Sequence, residues 1–98
     1  MRTNVHVESG EGATDRRVTK LNAITIEFSY PIDKPTTFSF ESQNGFTLRE
    51  FAACVLGGYR TIYKKARSYG VWGHCLGDLF IEGIEERSPG VFHLVMGS

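Results

Sequence analysis

Only the segment from Thr47 to Ser68 carries helical periodicity, and the segments on either side of it alternate with period two. Leu48, Phe51, Ala52, Val55, Leu56, Tyr59, Ile62, Tyr63 and Ala66 recur at spacings of three and four. That spacing places them on one stripe of an amphipathic helix. Thr47-Leu-Arg-Glu50 reads as a capping box: the Thr47 hydroxyl accepts from the Glu50 amide, and the Glu50 carboxylate reaches back to the Thr47 amide. Gly70 is a stop signal just past the stripe. A single helix must bury such a stripe against another layer, and its neighbours in the sequence supply one.

From Leu21 to Tyr30, Ile24, Ile26, Phe28 and Tyr30 alternate with Thr25, Glu27 and Ser29. This is the pattern of a half-buried strand. Pro31-Ile-Asp-Lys-Pro35 interrupts it, because proline cannot donate to a ladder. Thr36 to Glu41 resumes the alternation with Phe38 and Phe40 inward, so an antiparallel hairpin is predicted. Leu79 to Glu86 reads as a third strand, Ser88-Pro-Gly90 as a turn of type II, and Val91 to Met96 as a fourth strand. The expected fold is therefore α+β, in the order ββαββ. A four-stranded, mostly antiparallel sheet carries one amphipathic helix on one face. Strand order is not fixed by the sequence, and a parallel pairing of the first and last strands is one arrangement it allows. The element order resembles that of small β-grasp or protein-G-like domains; the likeness covers no shared motif.

Gly57 and Gly58 lie inside the helix, where each glycine costs about 1 kcal/mol relative to alanine. Gly58 projects toward the buried side, which points to a close approach of helix and sheet. Nothing in the sequence explains Gly57.

Ninety-eight residues argue for one domain. Residues 1–18 are rich in Glu, Gly, Ser and Thr and read as a flexible N-terminal tail, with Val5-His6-Val7 as an alternative edge strand. Residues 19–98 form the single small domain. A core of that size is marginal, and dimerisation is a common remedy. Eleven basic and eleven acidic residues cancel, so no global attraction to nucleic acid or anionic membrane is expected. No apolar run is long enough to span a bilayer, and no secretory leader is visible. A cytoplasmic, reducing setting with both cysteines free is the expectation.

Charge is nevertheless polarised. Thr47 to Gly70 carries five basic residues and one acidic residue, whereas Val71 to Ser98 carries one basic and four acidic. Arg49, Arg60, Lys64 and Arg67 share the outer helix face, with Lys65 beside them. With no recognition motif or aromatic platform around them, they read as a solvated face rather than a nucleic-acid site.

Two places are candidates for function. Ser68 to Leu79 gathers the only tryptophan, Trp72, with His74, Cys75 and Asp78. Trp72, His74, Cys75 and Asp78 are the candidate ligand-binding residues, and a small enzyme or ligand-binding domain built on them is one reading. Adjacent residues of an extended segment point apart, so His74 and Cys75 are poorly placed to act as base and nucleophile. The spacing fits no structural zinc pattern, and no metal, cofactor or catalytic residue is assigned. Turn chemistry alone explains most of the segment. Trp72 plugs one end of the core, Gly70, Gly73 and Gly77 supply positive φ or room for close backbone passage, and Asp78 caps amides before the strand.

The last strand is the second place. It is apolar on both faces, with Phe92, Leu94 and Met96 on one and Val91, His93 and Val95 on the other. One helix covers one face only. Val91, His93 and Val95, joined by Ile84 or Leu79, are therefore the expected interface. The leading reading is a small non-enzymatic protein-interaction module, homodimeric through a free sheet face or edge. Its partner is a second copy or another protein.

Overall fold

The computed structural model describes residues 16–98 together with the short strand Thr3–Asn4. Among the described residues, seven strands, two α-helical segments and one 3-10 turn follow one another: β1 Thr3–Asn4, β2 Arg17–Thr19, β3 Ala23–Phe28, β4 Thr36–Glu41, β5 Phe46–Thr47, α1 Leu48–Lys64, α2 Ala66–Tyr69, the 3-10 turn Leu76–Asp78, β6 Phe80–Ser88 and β7 Val91–Gly97. The main sheet runs β1-β6-β7-β3-β4, and β2 with β5 forms a separate antiparallel pair. Its four long strands and α1 realise the expected α+β fold. The first and last long strands, β3 and β7, pair in parallel at its centre, and every other neighbour is antiparallel. Most of the segment read as a tail, including Val5-His6-Val7, lies outside the described residues.

Helix α1 starts where its capping box places it. The Glu50 amide donates to Thr47 Oγ1 at 3.2 Å, and the Thr47 amide donates to Glu50 Oε1 at 2.8 Å. Such a cap contributes about 1 kcal/mol. Leu48, Phe51, Ala52, Val55, Tyr59 and Ile62 of the stripe are buried. All of these but Leu48 share one core cluster with Ile24, Ile26 and Phe28 of β3, Phe92 and Leu94 of β7, and Ile81 of β6. Phe51 packs edge-on to Phe92, and Tyr59 edge-on to Phe28. The helical run breaks at Lys65, and α2 ends at Gly70, whose φ of 70° is the left-handed conformation a C-terminal glycine supplies.

Gly58 is the close approach predicted for it. A Cβ at this position would lie 2.9 Å from Phe28 Cε2 and nearer still to Cζ. Gly57 faces open space, with no atom within 4 Å of an added Cβ.

The outer face of the sheet differs from its expectation at two positions. The register of β6 shifts between Ile81 and Gly83. That extra residue reverses the alternation, so Ile84 packs against the core and Gly83 lies opposite Val95. Leu79 precedes the strand and is fully buried. Val91 and Val95 remain on the outer face, separated by His93, whose Nδ1 lies 3.5 Å from Glu27 Oε1.

Candidate functional site

The β3–β4 connection and the α2–β6 connection meet side by side, far apart in sequence. Ile32 and Val71 form an isolated antiparallel bridge. The Trp72 amide donates to the Pro31 carbonyl at 3.0 Å, and the Asp33 and Lys34 amides both donate to the Tyr69 carbonyl at 3.1 Å. The Tyr30–Pro31 peptide in this connection is cis. Glycine is required at two points here. Gly70 and Gly73 both have φ near 70°, and a Cβ on Gly70 would also press against Asp33.

This frame carries an aromatic corner of Tyr30, Trp72 and His74. Tyr30 packs edge-on to Trp72 with ring centroids 5.4 Å apart, and its centroid is also 5.4 Å from that of His74. Trp72 and His74 centroids are 5.8 Å apart. The Tyr30 hydroxyl is hydrogen-bonded to His74 Nε2 at 2.8 Å and to Ser98 Oγ at 3.1 Å. Ser98 Oγ is itself 3.4 Å from His74 Nε2.

Two further tyrosines fix the corner from below. Tyr59, fully buried on α1, donates its hydroxyl proton to the Tyr30 carbonyl at 2.5 Å. Tyr63, one turn later, donates to the His74 carbonyl at 3.0 Å. Burial pushes both hydroxyls above the ordinary tyrosine value of 10.0; at Tyr63 the nearby Cys75, Tyr30 and Asp78 add to the effect. Each of these protons is therefore held where its hydrogen bond requires it.

Two expectations for the corner are corrected. Trp72 does not plug the core: it is 46 % exposed, and its contacts are with Tyr30 and His74 at the surface. The physical reason is that the Trp72 main chain is tied to the β3–β4 connection, through its amide bond to the Pro31 carbonyl, and its ring rests on Tyr30 rather than on the core. Nor does Gly77 supply the positive φ or the close passage expected of it: its φ is not left-handed, and no atom lies within 4 Å of an added Cβ. Main-chain bonds close the turn Leu76–Asp78, from the Asp78 amide to the Cys75 carbonyl and from the Leu79 amide to the Leu76 carbonyl.

The chemistry open to this arrangement is recognition by aromatic faces and a few hydroxyls. Trp72, His74, Cys75 and Asp78 are brought to one end of the domain, with Cys75 and Asp78 both exposed. His74 Nε2 is engaged with Tyr30 and Ser98, and among the described residues no hydrogen bond joins it to Cys75. Among the described residues no group of three or more His, Cys, Asp or Glu side chains could hold a metal ion. Among the described residues no helix is long and apolar enough to cross a membrane. Sequence reasoning missed Tyr30, Tyr59, Tyr63 and Ser98 as members of the corner. A signal for three of them existed: Tyr30 ends the inward face of its strand, and Tyr59 and Tyr63 are four apart on the helical stripe.

The ionisable groups of α1 make a pH prediction. Burial, then Glu50, pushes the Cys54 thiol from 9.0 up to about 11. The folded values of Cys54, Tyr59 and Tyr63 are all raised, so the folded chain keeps protons that the unfolded chain releases. Stability is then fully present below pH 9 and falls as pH rises toward 11 and beyond. Thermal unfolding should show Tm declining across this window, and Cys54→Ala should make the first part of the decline shallower. A Tm that stays level through pH 11 would contradict these assignments.

No protein-family model, curated protein or solved structure matches this chain.

Proposed function

We propose that this chain is a small protein-interaction module, one that works by binding and uses the Tyr30–Trp72–His74 corner as its main contact. The observation that carries this reading is Trp72 itself. Its indole is 46 % exposed, yet it rests edge-on against Tyr30, whose hydroxyl and carbonyl are both hydrogen-bonded. A rigid, exposed tryptophan offers large apolar area at little ordering cost, which is the profile of an interface hot spot. Ser98, bonded to the Tyr30 hydroxyl, and the exposed Cys75 and Asp78 of the same connection as Trp72 add polar groups.

A peptide display library selected on the wild-type protein tests this. Enriched sequences should bind at least about tenfold more weakly to Trp72→Ala and should be unaffected by Val95→Glu, as expected when a hot-spot side chain is removed. Enrichment that survives on Trp72→Ala would sink the assignment of the corner.

A homodimer belongs to the same reading. Val91 and Val95 lie among Thr25, Glu27, His93 and Glu85 on the outer face. So mixed a surface favours the edge of the sheet over its face as the seat of self-association.

A further inference from the structure

Resting on the interaction-module reading above, we propose that the partner docked on the corner is a proline-rich segment in the polyproline II conformation, with a proline against Trp72 and a Lys or Arg beside it.

The corner has the shape for such a segment. The Tyr30 and Trp72 rings stand at 84° to each other, and the centroids of Tyr30, Trp72 and His74 are separated by 5.4 to 5.8 Å. Rings this close already pack on one another, so a ligand lies on the exposed side of Trp72 and not between them. One exposed ring suits a compact apolar group of fixed outline. Proline supplies it, and its locked φ leaves little conformational freedom to lose on docking.

Hydrogen bonding points the same way. The Tyr30 hydroxyl, the Tyr63 hydroxyl and His74 Nε2 are all engaged within the domain. The indole N–H of Trp72 has no hydrogen-bond partner among the described residues. It is a donor on the rim of an apolar surface, and it calls for an acceptor on the ligand. Helices and paired strands use their carbonyls in their own ladders. A polyproline II backbone has no internal hydrogen bonds, so its carbonyls are available.

Other modes of peptide recognition fit this place poorly. Strand addition needs a sheet edge, and the corner is built from two connections, residues 29–35 and 70–79. A docked helix needs an apolar groove several residues long, and Trp72 is the only exposed large apolar side chain in either connection. A phosphorylated segment or a single-stranded nucleic acid needs clustered cations, and the two connections hold no arginine and one lysine.

Charge selects what flanks the proline. The charged residues of the two connections are Asp33, Asp78 and Lys34, two acidic to one basic. Asp78 is exposed and lies near Tyr63, whose hydroxyl holds the His74 carbonyl. A cation on the partner is complementary to this balance, and an acidic flank is not.

The peptides that bind the wild type and are lost on Trp72→Ala are the probes. Sequenced, they should share a proline with a Lys or Arg within one turn, about three residues, of it. Synthetic copies with alanine in place of that proline should bind at least about tenfold more weakly. Trp72→Phe keeps an aromatic face and removes the donor, so it should weaken binding about three- to tenfold, the effect of one hydrogen bond. Asp78→Lys should weaken it about two- to fivefold, as for an exposed ion pair, and on renewed selection should enrich acidic flanks instead. Tm should be unchanged in both variants, since both side chains are exposed. Trp72-dependent peptides without proline, alanine copies that bind as well, or full binding to Trp72→Phe would overturn the partner while leaving the corner as a contact site. A library that yields no Trp72-dependent peptide would instead sink the interaction-module reading itself.

Discussion

Gly58→Ala should destabilise the domain by about 1–3 kcal/mol, the usual cost of forcing an extra carbon into a packed core. On an exposed helix the same change gains about 1 kcal/mol. The sign reverses because the added Cβ would enter the Phe28 ring, and that ring has little room to move. Phe28 is fully buried and is held edge-on by both Phe38 and Tyr59, with centroids 5.5 and 5.1 Å away. Denaturant unfolding would measure the loss. Gly57→Ala is the matched control: one residue earlier, with nothing within 4 Å of its new carbon, it should stabilise by about 0.5–1 kcal/mol. If both alanines act alike, contact with Phe28 is not what keeps Gly58 small. A second check is Phe28→Leu, which should offset part of the Gly58→Ala penalty, because residues in contact are not additive.

Tyr59→Phe should cost about 1–3 kcal/mol and should also loosen the aromatic corner. The lost hydroxyl leaves the Tyr30 carbonyl, part-buried beneath the corner, without its donor, and an orphaned polar group carries that penalty. The effect is expected to travel. Tyr30 is the ring against which Trp72 rests and the hydroxyl to which His74 is bonded. Trp72 is the sole tryptophan, so its fluorescence anisotropy and its quenching by acrylamide report on this corner alone. Both should reveal a more mobile indole at temperatures where far-ultraviolet circular dichroism remains native. A lowered Tm with an unchanged Trp72 signal would mean that Tyr59 supports the core but not the corner.

Much of the fold was legible because its signals are local. The stripe from Leu48 to Ala66 and the Thr47–Glu50 box specify α1, the alternation of Ile24, Ile26 and Phe28 specifies β3, and Pro89-Gly90 specifies the β6–β7 turn. The short strands β1, β2 and β5 were not legible, since two or three residues carry no period. The bulge that turns Ile84 inward was hidden for a related reason: Glu82 looks like any polar residue of an alternating strand, and only the partner strand reveals that it is extra. The corner was legible in part. Its residue types at Trp72 and His74 stood out, but Tyr30 lies more than forty positions away and is brought there by the pairing of two loops. The exposure of Trp72 went against hydropathy. A lone tryptophan suggests burial, and packing on Tyr30 across the paired loops decides otherwise.

The parallel pairing of β3 with β7 also sets the order in which the domain can assemble. Each hairpin and the capped helix draw on contacts close in sequence and can form early. The central pair joins residues 25–27 to residues 91–93, a separation that must be closed at an entropic cost before its contacts contribute. The rate-limiting event is then expected to be the docking of one preformed hairpin on the other under α1, so the two halves of the sheet are kinetically separate even though they share one core.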